Sequence, residues 1–201
     1  MIKVYGMTLS GNCHKVRLLL DLIERPYEWI ETDTREEATR TPEFLALNPH
    51  GQVPAVILED GEVLPESNAI LLYFAQNTRL FPDEPLAGAR VLQWMFFEQY
   101  SHEPYIAVNR AILSVFKTVH DNRDRFQANI PRGYRALDVM ERRLTESAFF
   151  AGSSMSIADI ALYAYTHVAH EGGFDLEVYP EVRRWLLRVV DEGLRPMPAC
   201  G

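Results

Sequence analysis

The chain has two cysteines in 201 residues, Cys13 and Cys200, too few for a disulfide framework. A reducing cytosol is the expected setting. No apolar run is long enough to span a bilayer. Met1-Ile2-Lys3-Val4-Tyr5-Gly6 runs straight into a strand pattern, so a signal peptide is not expected and the location is read as cytoplasmic. Lys and Arg total 20 against 28 Asp and Glu, a formal charge of -8, and the basic residues form no block. Nucleic acid is therefore not expected as the main partner. There are no internal repeats and no low-complexity segments. What remains is an ordinary globular composition, 47% apolar and 24% charged, in a length that suits one large domain or two small ones.

The chain falls into two halves with different hydrophobic periods. In the first, Lys3 to Met7 reads as a strand, and Val16, Leu19, Leu20 and Ile23 then recur at helical spacing. Tyr27 to Ile30 reads as a second strand. Thr41-Pro42-Glu43, a cap residue followed by proline at the first helical position, opens a short helix through Leu47. Val53 to Leu58 and Glu62 to Leu64 flank Asp60-Gly61, a strong hairpin signal. A helix from Asn68 to about Gln76 closes the unit, which predicts a small mixed sheet with helices against it. Phe81-Pro82-Asp83-Glu84-Pro85 reads as a connector. Beyond it only helix patterns follow: Arg90 to about Val119, bent or broken near Pro104; Gly133 to Ser147, after Pro131; a helix opened by Ser156-Ile157-Ala158-Asp159 as a capping box; and a last one marked by Val182, Trp185, Leu186, Val189 and Val190.

Three short segments of the first half carry candidate chemistry. Ser10 stands where a strand ends and a helix begins. Its hydroxyl suits an ordinary N-cap, and beside the unpaired N–H groups of a first turn it equally suits an anion such as a thiolate. Proline in Val53-Pro54 cannot donate to a sheet ladder. Either it is a trans residue opening a strand, or a cis bond bends the chain and frees the Val53 backbone to pair with an extended ligand. Ser67 reads as a second N-cap, yet a serine at a helix N-terminus suits a carboxylate and the adjacent Glu66 suits an ammonium. Together they would clasp an amino-acid head group.

In this order these segments resemble the glutathione transferase superfamily, over essentially the whole chain. The resemblance is carried by the strand–Ser10–helix junction, Asn48-Pro49-His50-Gly51-Gln52-Val53-Pro54-Ala55, Glu66-Ser67-Asn68-Ala69-Ile70, the connector, and Gly152 through Ile160. It implies an α/β thioredoxin-like N-terminal domain over residues 1–80, a linker at 81–87 and an all-α C-terminal domain over 88–201. It implies glutathione as co-substrate, no metal, a detoxifying transferase and a homodimer. Ser10 matches the catalytic serine of serine-type members and would donate a hydrogen bond to the glutathione sulfur, favouring the thiolate. Asn12 is its rival, since some disulfide-reducing members use Thr or Asn on this loop. Val53, with Pro54, would pair with the cysteinyl backbone, and Glu66 and Ser67 would hold the γ-glutamyl head. Gln52 and His50 are further contacts, and the glycyl carboxylate goes to Arg40 or His50.

The second substrate would be a small electrophile or, alternatively, a disulfide or peroxide. The resemblance places it between the two domains, where Met7, Leu9, His102, Tyr105 and Arg110 are expected to line its pocket. Glu98, His102, Tyr105 and Asn109 share one stripe of a continuous helix, read either as cleft lining or as a solvated face. Cys13 shares its spacing with Val16, Leu20 and Ile23 and is expected to be a buried structural thiol. His167 and His170 lack a third partner and are expected to form no metal site. A non-enzymatic relative, a glutathione transferase-like interaction module, is the remaining alternative.

Overall fold

The computed structural model describes residues 1–200. Its first half is a four-stranded sheet in the order β2-β1-β3-β4. Strand β1 (Ile2–Gly6) pairs in parallel with β2 (Tyr27–Glu31) through the crossover helix α1 (Gly11–Leu22). It pairs antiparallel with β3 (Ala55–Ile57), which turns at Asp60-Gly61 into β4 (Val63–Pro65). Ile2, Val4 and Val56 point to one face and meet Val16 and Leu20 of α1 and Ile70 of α3 (Ser67–Ala75). Tyr5, opposite in the pleat, meets Phe44 of α2 (Pro42–Leu47) edge-on at 6.0 Å.

The second half is helical: α4 (Pro85–Phe97), α5 (Glu103–Arg110), α6 (Arg123–Glu146), α7 (Ile157–Thr166) and α8 (Pro180–Asp191). Every residue of α7 is buried. Asp159 explains why its start is fixed. The Asp159 carboxylate accepts from the Ser156 backbone N–H and hydroxyl, the Phe150 N–H and the Trp185 indole, at 2.9–3.1 Å. The expected capping box thus also ties α7 to α8. The large core is shared by both halves, because Leu18, Leu19, Leu71 and Ala75 of α1 and α3 pack into it with Ile106, Leu137, Ile160 and Trp185.

Two helix starts differ from expectation, those of α4 and α6, and the stretch between them departs from regular α-helix around Pro104, as expected. Helix α4 starts at Pro85, inside the stretch read as a connector, because Glu84 caps it by accepting from the Leu86 and Ala87 N–H groups. The long helix after it loses its regular α-helical pitch near Pro104, with π-helical turns at Glu98–His102 and Ala111–Val115 on either side of α5. Proline cannot donate to the carbonyl four residues back, and a wider turn ahead of it absorbs the missing bond. Helix α6 begins ten residues before Gly133 and carries Pro131 inside it. Its early turns are tied from outside: Asn109 donates to the Phe126 carbonyl at 3.1 Å, and Asn129 donates to Asn109 at 3.0 Å.

Candidate functional site

A cleft of about 660 Å³ opens between the sheet domain and the helices that follow it. Its floor is the β1–α1 junction. Ser10 has extended backbone angles and caps α1, its hydroxyl accepting from the Cys13 N–H at 3.4 Å. That leaves the hydroxyl proton free to donate, so a cap and an anion donor are compatible in one residue. Cys13 turns into the core, accepts from the Met7 N–H at 3.4 Å, and burial pushes its thiol up to about 11. The structural reading of Cys13 holds.

Tyr165 of α7 was not foreseen. Its hydroxyl accepts from the Asn12 N–H at 3.2 Å and lies within hydrogen-bonding reach of Ser10, and burial pushes the phenol well above its ordinary range. It stays protonated. The one local cue was Gly11: a Cβ there would stand 2.5 Å from the Tyr165 ring, so only glycine lets the ring reach the junction.

Asn12 sits between the two halves. Its amide nitrogen donates to Glu103 and its amide oxygen accepts from Ser67, both at 3.4 Å. Glu103, also unforeseen, lines the cleft from α5; burial and the charge of Glu98 push its carboxyl above the usual range. Beneath this cluster Lys15 of α1 and Glu98 form an ion pair at 2.8 Å with both side chains fully buried. Asn68 of α3 and Gln99 add hydrogen bonds to the same carboxylate. Breaking one partner of such a pair strands a buried charge, which costs about 3–5 kcal/mol.

The Val53–Pro54 peptide is cis. Asn48 shapes the loop before it, donating to the Gln52 carbonyl at 2.8 Å and accepting from the His50 N–H at 3.2 Å. Gly51 has φ +61°, and a Cβ there would strike the Arg40 guanidinium at 2.5 Å. Arg40 therefore lies along this loop and lines the cleft. Ser67 is not the N-cap of α3 but its first residue, its hydroxyl turned to Asn12. The cap position is Glu66, which makes no side-chain cap bond and holds φ +72°, a costly conformation for a residue with a side chain.

Of the residues expected from sequence, Met7, Leu9, Ser10, Asn12, Arg40, Gln52, Val53, Pro54, Glu66, Ser67 and Arg110 all line this one cleft. Three do not. His50 is exposed and lies outside the lining. His102 is fully buried against Thr166 at 2.9 Å, and burial pushes its ring down to about 3. Tyr105 lines a separate groove with Phe97, Tyr100 and Arg132. The cleft is lined instead by Gln99, Glu103, Ala107, Ala111 and Val115, a stripe recurring every fourth residue. Glu98 and Asn109 are buried, so their stripe is neither cleft lining nor a solvated face. Arg110 donates to the Leu9 carbonyl at 2.6 Å and to Glu171 at 2.7 Å, so it braces the Ser10 loop as well as lining the cleft.

Among the described residues no group of three or more His, Cys, Asp and Glu is placed to hold a metal ion. His167 instead stacks on Tyr163, and its ring nitrogens pair with the Tyr163 carbonyl at 2.7 Å and the Met197 N–H at 3.0 Å.

Residues 9–77 match the family model for the glutathione S-transferase N-terminal domain, and residues 123–188 match that for the C-terminal domain. The disulfide-bond oxidoreductase YfcG of Escherichia coli (strain K12) is 33% identical over 209 residues, covering 100% of this chain and 93% of the relative. The chain belongs to the glutathione transferase superfamily. Among solved structures, a glutathione S-transferase from Pseudomonas fluorescens Pf-5 is 50% identical with a TM-score of 0.94 over 98% of each chain. A second family member from that organism, solved with two glutathione molecules bound, is 26% identical, with a TM-score of 0.81 over 98% of this chain and 89% of its own. A thioredoxin-like domain followed by a helical one is thus both observed and shared with these transferases.

Proposed function

We propose that this protein is a glutathione transferase that binds glutathione along the cleft and activates its thiol as a thiolate. The observation that carries the proposal is the convergence of Ser10, Asn12, Val53-Pro54, Glu66-Ser67 and Arg40, from separate segments, on one cleft. The Ser10 hydroxyl donates to the sulfur, with the Tyr165 hydroxyl donating in turn to the Ser10 oxygen. Val53 pairs with the cysteinyl backbone. Glu66 and the Ser67 end of α3 hold the γ-glutamyl head, and Gln52 adds a contact. Arg40 takes the glycyl carboxylate in preference to His50, which lies outside the lining. The Ser10 and Arg40 contacts favour anions and the Glu66-Ser67 pair a zwitterion, and together they describe a charged tripeptide. Family membership supports a cytoplasmic homodimer.

Ultraviolet absorbance of the bound thiolate tests this reading. Ser10→Ala is expected to lower the thiolate fraction at neutral pH and to reduce kcat about 100-fold, the usual cost of one donor to a developing anion. An unchanged thiolate fraction would remove Ser10 from the mechanism.

One observation favours a second reading, thiol–disulfide exchange with a disulfide substrate. The cleft also takes in Gln99, Glu103 and Arg110, with Glu103 bonded to the Asn12 amide, a polar wall for a transferase expected to hold a hydrophobic electrophile. A relative named as a disulfide-bond oxidoreductase and a family member holding two glutathione molecules add support. A screen of chloro-aromatic, hydroperoxide and disulfide substrates separates the two. Turnover of disulfides alone would raise Asn12 above Ser10.

A further inference from the structure

Thiolate formation needs a destination for the proton, and the donors around Ser10 cannot supply one. The Ser10 hydroxyl, the Asn12 amide and the Tyr165 phenol all stabilise an anion by donating. Tyr165 and Cys13 are held protonated by burial. Glu37 and Glu66 line the cleft too, but both are exposed. Glu103 alone of these carboxylates is joined to the cluster, accepting from the Asn12 amide while lining the cleft. We propose that Glu103 is the proton acceptor for the glutathione thiol, an inference that rests on the glutathione reading above.

In this step the S–H bond breaks, its electron pair stays on sulfur, and an O–H bond forms on the Glu103 carboxylate. Nothing is oxidised or reduced. One negative charge moves from oxygen to sulfur, so the cleft never holds a carboxylate and a thiolate side by side. Release of the proton to water would leave both. That difference matters in a partly dry site, where like charges a few ångströms apart repel strongly. After turnover the proton leaves to solvent or, in the disulfide reaction, to the departing thiolate.

The surroundings of Glu103 are consistent with the role. Asn12 and Lys15 face it from α1, Glu98 from the π-helical turn before it, and Arg125 from α6. Tyr165 of α7 feels its charge. Lys15 is committed to Glu98, so it does not pin Glu103 as an ion pair. Burial and Glu98 raise the carboxyl toward the range of a thiol, which narrows the gap the proton must cross.

The test mixes the full chain with glutathione in a stopped-flow instrument and follows thiolate absorbance against pH, with calorimetry of S-methylglutathione, which has no thiol proton, alongside. Glu103→Gln is expected to slow thiolate formation at neutral pH about 100-fold, the usual scale for losing a general base. Its affinity for S-methylglutathione should stay within about 2-fold. Glu103→Asp, which keeps a carboxylate, is expected to restore the wild-type pH profile at a reduced rate. Wild-type thiolate formation in Glu103→Gln would overturn the proposal, and so would a loss of S-methylglutathione binding in that variant, which would make Glu103 a binding group. Failure of the wild type to bind S-methylglutathione would instead overturn the glutathione reading beneath it.

Discussion

At the scale of single residues, geometry separates pairs of candidates that chemistry leaves equal. Arg40 and His50 both carry a donor suited to a carboxylate. The Gly51 backbone at φ +61° lets the Arg40 guanidinium lie along the loop and line the cleft, whereas His50 is outside the lining. Arg40→Ala is therefore expected to weaken glutathione binding about 10- to 100-fold by calorimetry, the range for losing a charge-assisted hydrogen bond. His50→Ala should leave it within about 2-fold, and the reverse order would refute the assignment. Ser10 and Asn12 are not exclusive in the same way. One donates from a hydroxyl that also caps α1, while the other is held between Ser67 and Glu103 with its amide nitrogen on the Glu103 side.

Among the elements, the stretch from α4 to the end of the second π-helical turn decides what the helical domain offers the cleft. An α-helical period of 3.6 places Glu98, His102, Tyr105 and Asn109 on one face. The two π-helical turns need more residues per turn, so the cleft-facing set recurs every fourth residue, as Gln99, Glu103, Ala107, Ala111 and Val115 do. Helix α7 makes the opposite point, because its start is legible in Ser156 and Asp159. Asp159→Ala would strand four donors in the core, and a loss of about 3 kcal/mol in denaturant unfolding is expected. A loss below about 1 kcal/mol would show that the box is dispensable.

For the whole molecule, burial of histidines sets the response to acid. Burial pushes His14 and His167 down to about 4 and His102 to about 3, so all three are neutral in the folded chain at neutral pH. Their unfolded value is near 6.5, so the unfolded state takes up protons first and stability is lost as pH falls through 6.5 toward 4. Each contributes on the order of 3 kcal/mol across that window. Asp159, raised by burial to about 6, acts in the other sense, gaining stability as pH falls below 6, and offsets roughly one of the three. Denaturant titrations at pH 7.5 and 4.5 should therefore show a net fall of several kcal/mol. A flat profile would mean that these rings are solvated.

The sequence by itself determined the two-part architecture, the caps of α1, α2 and α7, and most of the cleft lining contributed by the sheet half. Ser10, Val53-Pro54, Glu66-Ser67 and the Ser156–Asp159 box are signals contained within a few neighbouring residues, where caps, turns and proline geometry act. It could not determine which residues the helical domain turns toward the cleft. Tyr165 reaches Ser10 across 155 positions and Glu103 reaches Asn12 across 91, and no local periodicity encodes either approach. Packing of α7 beneath α1, and the changed pitch before and after α5, decided both, because only close contact between separate elements sets which face of a helix looks inward.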